Sequence, residues 1–118
     1  MVDAELIREG RRLSKLLDEA LAYLAQQVHL ASESERDYRK MQGEMILRAP
    51  AGTVLEKDAW LKAECADARF TRDLADGMRQ AALEAVRSRR TQVSLLQSFL
   101  AGEREEMALT RTGPEMGA

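Results

Sequence analysis

Arginine and lysine are the residues here whose types and spacing offer chemistry, and that chemistry is the holding of an anion. Two basic stretches stand out. Arg36, Arg39, Lys40 and Arg48 lie around and after Tyr38, while Arg87, Arg89 and Arg90 follow Val86, with Arg79 upstream. Across the whole chain, 18 basic residues are outnumbered by 20 acidic ones, for a net charge of −2. That excludes the uniformly basic surface of a general nucleic-acid binder and leaves local patches. Cations clustered in this way contact phosphates without reading sequence, and such contacts weaken with salt. The competing reading is a solvated helix face, or a set of ion pairs between subunits.

Catalytic chemistry has little to build on. His29 is the only histidine and Cys65 the only cysteine, so neither a His-His metal pair nor a zinc site can form. A Ser/His/Asp or Cys/His dyad would have to use His29, which sits one position from an apolar row. Gly52 follows Pro50 alone, without the run of glycines that cradles a phosphate. The Glu-x-x-His motifs of a four-helix di-metal centre are absent. The many acids alternate with bases and read as i,i+4 partners on helix faces. The expectation is a non-enzyme with no cofactor and no metal.

The elements that must position the basic residues are helices. Helix formers dominate, β-branched and aromatic residues are sparse, and only Pro50 and Pro114 interrupt. From Leu6 onward, apolar or small residues return every three or four positions: Gly10, Leu13, Leu17, Ala20, Leu24, Val28, Ala31, then Tyr38, Met41 and Met45. Glu35 interrupts the row. This spacing predicts an amphipathic helix over about 4–47. Pro50 biases Ala49 away from helical angles, and Gly52 follows, which places a loop at 48–53. Thr53-Val54-Leu55-Glu56 reads as a capping box that starts a second helix over about 54–109. Its apolar positions include Leu55, Trp60, Leu61, Phe70, Leu74 and Met78. They continue through Leu83, Val86, Val93, Leu96, Phe99 and Leu100, with Arg90 falling among them. Residues 110–118 hold two glycines and a proline and are expected to be disordered.

The fold class read from this pattern is all-α, one domain, an antiparallel hairpin of two long amphipathic helices. Facing positions in such a hairpin should sum to about 101. Arg87, Arg89 and Arg90 would then meet Arg8, Arg11, Arg12 and Lys15, a repulsive gathering that an anionic partner would relieve. Two rods of roughly 60–75 Å cannot enclose a compact core. Leu16, Leu21, Leu95, Leu96, Phe99 and Leu100 are therefore predicted to form an interface between copies. The acidic start of the chain lacks a signal-peptide pattern, and no apolar run approaches the ~20 residues of a membrane span, so the cytoplasm is expected.

Three local patterns carry a family resemblance: the basic stretch Lys40 to Arg48, the turn Gly52-Thr53-Val54-Leu55-Glu56, and Ala82-Leu83-Glu84-Ala85-Val86-Arg87-Ser88-Arg89 with the amphipathic tail up to Met107. In layout, from about Leu24 to the end, the chain resembles the phage recombination mediators, the UvsY-like proteins. The resemblance implies a homo-oligomer, a ring being one form, that binds single-stranded DNA. It implies help in loading a RecA-like recombinase onto DNA covered by single-strand-binding protein, in the cytoplasm of the host. Arg39, Lys40 and Arg48 match the basic part of that family's DNA-binding segment. Its aromatic part is replaced by Met45, Ile46 and Leu47, which leaves backbone contacts rather than base stacking. A structural or assembly protein (a phage scaffold or chaperone) and a helical protein-binding regulator remain the rival readings.

Overall fold

The computed structural model describes the backbone of residues 4–117 and the side chains of residues 4–110. Three helices account for nearly all of it: α1 (Ala4–Arg48), α2 (Val54–Glu64) and α3 (Ala66–Gly117). The described residues hold no strand, so the chain is all-α. None of the helices among them is long and apolar enough to cross a membrane.

The first helix ends where the sequence places the break. Thr53 caps α2: its backbone is extended, and its hydroxyl accepts a 3.1 Å hydrogen bond from the Glu56 amide. Only that half of the expected capping box is made. The Glu56 carboxylate instead lies over Gly52, where an added Cβ would meet its Oε2 at 2.7 Å. The second helix of the sequence reading is two helices, because Cys65 leaves helical geometry at φ −95° and ψ 5°. The interruption is one residue long. Cys65 still donates to the Leu61 carbonyl at 3.0 Å, and Arg69 donates to the Cys65 carbonyl at 2.9 Å. No glycine or proline marks this position, so the sequence carries no signal for it. The last helix runs to Gly117, through the backbone of the segment expected to be disordered. The side chains of 111–118 lie outside those described.

The chain divides into two units. The first joins residues 1–22 to residues 84–118. Its core alternates in steps of three and four on both sides. Leu6, Gly10, Leu13, Leu17 and Ala20 on α1 are covered, as are Val86, Arg89, Val93, Leu96 and Leu100 on α3. Val86 is the best buried, at 1% exposure. Gly10 lets α3 come close, since a Cβ there would touch Leu96 Cδ2 at 3.4 Å. Arg12 forks onto Glu9, and that hydrogen bond holds the Glu9 carboxyl below its ordinary range.

The second unit comprises residues 23–83. On α1 its covered positions run Leu24, Gln27, Ala31, Glu35, Tyr38, Gln42 and Met45. Gln27 takes the buried place that the sequence row assigns to Val28, which is exposed. On α2 and α3 the covered positions are Leu61, Cys65, Ala68, Arg72, Ala75, Arg79 and Ala82, again in steps of three and four. This seam is built of small residues and arginines. Phe70 and Leu74, which the sequence reading places in the apolar stripe, are 68% and 56% exposed. Leu61 lies on the covered face as the stripe predicts, whereas Phe70 and Leu74 lie about half a turn from Arg72 on the exposed side. Large side chains suggested one face, and close approach through alanine selected the other.

Candidate anion-binding groove

The seam of the second unit opens into a groove of about 890 Å³ whose wall is mostly charged. Arg36 and Arg39 reach it from α1, and Arg72 and Arg79 from α3. Glu35, Asp73 and Asp76 line it too, and Ala31 and Ser32 complete it. Four guanidiniums against three carboxylates leave the lining slightly basic.

Helical spacing explains how these groups meet. Glu35 and Arg39 lie one turn apart, and Arg39 Nε donates to Glu35 Oε1 at 2.7 Å. The other oxygen of Glu35 faces Arg72 Nε at 3.7 Å. Glu35, which interrupts the apolar row in the sequence, is thus the carboxylate that joins α1 to α3 in this unit. Arg72 also forks onto Asp73, with its two bonds at 2.9 and 3.0 Å, and its Cζ lies 4.2 Å from the centroid of the Tyr38 ring. The Asp73 hydrogen bond raises the Arg72 pKa above its ordinary value, against a smaller opposing effect of desolvation. Its side chain is 25% exposed, so the cation is fixed at the groove wall rather than waving in solvent. Arg79 pairs with Asp76 at 3.0 Å, and Arg36 with Asp37 at 3.3 Å.

Of the predicted nucleic-acid residues, Arg36 and Arg39 lie in this groove. Lys40 and Arg48 are exposed, and neither takes a side-chain partner among the described residues. Arg87, Arg89 and Arg90 belong to the other unit. There, Arg87 pairs with Glu84 at 2.6 Å. The half-buried Arg89 donates to Gln92 at 3.1 Å, and Arg90 is exposed without a partner. The expected gathering of seven bases is spread along the two helices. Gly10 faces Leu96, and Glu35 reaches Arg72, so facing positions sum to 106 or 107 and not 101. Arg87, Arg89 and Arg90 are therefore level with residues 16–20 of α1, which include Asp18 and Glu19; Lys15 borders that stretch, Arg11 and Arg12 lie about a turn from it, and Arg8 about two turns. The shift lies between α1 and α3, where residues Val54 to Ala59 at the start of α2 are exposed.

Of the predicted interface residues, Leu21, Leu95 and Phe99 are exposed, and Leu16, Leu96 and Leu100 are half-buried. The groove residues that sequence reading passed over are Glu35, Arg72, Asp73 and Asp76. The legible signal was the coincidence of a break in the α1 row at Glu35 with a cation at Arg72. It needed the correct register to be seen.

Guanidinium is the group in this lining that pairs with anions, and each one here is paired with a carboxylate of the chain. Ser32 is the only hydroxyl in the lining, and His29, exposed and 2.9 Å from Glu33, is not part of it. Cys65 is buried and unpaired. Compared with known proteins, the chain matches no family profile, no curated sequence and no solved structure.

Proposed function

We propose that this chain is a non-catalytic, self-assembling helical protein that binds single-stranded DNA through phosphate contacts in the groove around Arg36, Arg39, Arg72 and Arg79. The observation that carries this reading is the convergence of four guanidiniums on one open groove, two from each helix. A phosphate entering it would displace a carboxylate from an arginine that is already held in place. Arg72, fixed by Tyr38 and Asp73, supports such preorganisation. Exposed Lys40 and Arg48 extend the positive surface along α1 toward the loop. One copy offers few phosphate contacts, and assembly of several copies would multiply them by effective concentration. The resemblance to phage recombination mediators fits this picture. It adds a role in loading a RecA-like recombinase onto DNA covered by single-strand-binding protein, in the host cytoplasm. The antiparallel hairpin, with copies joined through its exposed apolar residues, is the architecture this function would use.

The second reading is a structural or assembly protein with no nucleic-acid role. One observation favours it: every groove arginine already has a carboxylate within 3.3 Å. Fluorescence anisotropy with a labelled oligonucleotide separates the two. Arg39→Glu with Lys40→Glu should weaken binding much more than Arg87→Glu with Arg90→Glu. If the unaltered protein fails to bind at low salt, the assembly reading replaces the first.

A further inference from the structure

The first unit carries a different groove, of about 560 Å³, between residues 6–18 of α1 and 93–100 of α3. Its floor is apolar: Leu6, Gly10, Leu13, Val93, Leu96 and Leu100. Arg11 and Lys15 stand on its rim, and neither has a hydrogen bond or ion pair among the described residues. Asp18 is the single acid there. An apolar trough with unsatisfied cations at its edge fits an acidic amphipathic helix.

The same unit supplies an acidic helical segment that carries exposed apolar residues. Late in α3, Met107 is 41% and Leu109 is 71% exposed. Leu109 shares a helix face with Glu105 and Glu106, while Met107 lies on the opposite face; Glu105 and Glu106 have no partner among the described residues. From residue 103 to residue 106 the helix carries three acids and one base. It cannot enter the groove of its own chain. Leu96 and Leu100, which line that groove, precede Met107 on the same continuous helix, and a helix does not fold back on itself within two turns.

We infer that the groove of one copy receives the 103–109 segment of a second copy, with Glu105 and Glu106 meeting Arg11 and Lys15, and that the exchange is reciprocal about a two-fold axis. Matching charge decides for a second copy, because one chain carries Arg11 and Lys15 on the groove and Glu105 and Glu106 on the segment. This inference rests on the self-assembly part of the proposed function and is independent of DNA.

The test is a charge swap read by sedimentation velocity at low salt. Arg11→Glu with Lys15→Glu, and separately Glu105→Lys with Glu106→Lys, should each weaken the dimer at least tenfold. In a mixture of the two variants both contacts regain opposite charges, and the heterodimer should return to within a fewfold of the unaltered protein. Circular dichroism confirms that each variant is folded. A mixture that stays monomeric overturns the inference. So does an assembly unmoved by either variant, and if it is lost in Phe70→Asn with Leu74→Asn, the contact lies in the second unit. A monomer at every concentration overturns the inference together with the self-assembly part of the proposed function, whereas the other outcomes leave self-assembly standing.

Discussion

The two units solve one packing problem with opposite materials. In the first, leucine and valine fill the seam, and Val86 is almost wholly enclosed. In the second, alanines bring the helices together, and Arg72 and Arg79 occupy two of the seam positions. A seam of large apolar side chains yields cohesion and leaves an apolar trough at its margin. A seam of small residues yields close approach but little buried area, and its arginines must reach outward to carboxylates and water. The charged groove is a consequence of that choice, and so is the exposure of Phe70 and Leu74.

The comparison can be broken by mutation, beginning with the largest effect. Val86→Ala in the first unit should cost roughly 1.5–3 kcal/mol, as expected for losing a fully buried valine side chain and leaving a small cavity. Arg72→Ala in the second should cost less, because Glu35 keeps Arg39 as a partner. Urea unfolding followed by circular dichroism would order the two, and a larger loss from Arg72→Ala would reverse the assignment of cohesion to the apolar seam. Thr53→Ala removes the cap of α2 and should cost ~0.5–2 kcal/mol, measured the same way. Gly77→Ala should stabilise by about 0.5–1 kcal/mol, since nothing lies within 4 Å of the added methyl group and alanine suits a helix better. The gain at Gly10→Ala should be smaller, because there the methyl group meets Leu96.

The helical class, the break at Pro50-Ala51-Gly52 and the Thr53 cap were legible in the sequence, because each rests on local chemistry. The α1 row was legible as well, apart from the exchange of Val28 for Gln27. The later helices were harder to read. Alanine is abundant on every face of α3, so large residues such as Phe70, Leu74 and Met78 drew the stripe toward the exposed side. The register between α1 and α3 differs by about five residues from the one a tight turn would give. That difference moves Arg87, Arg89 and Arg90 away from Arg8 and Arg11 and toward Asp18 and Glu19. It also assembled an unexpected site from Arg36, Arg39, Arg72 and Arg79. The break at Cys65 had no local signal at all.

The central claim is that the charged groove of the second unit contacts phosphate. Its most direct test is the salt dependence of single-stranded DNA binding by the unaltered protein and by Arg39→Ala. Each lost phosphate contact lowers the slope of log affinity against log salt by about 0.7 on a single strand. The account predicts weaker binding at low salt and a slope reduced by roughly that amount for each engaged subunit, with the helical content unchanged. Binding with an unaltered slope and affinity in Arg39→Ala would contradict it.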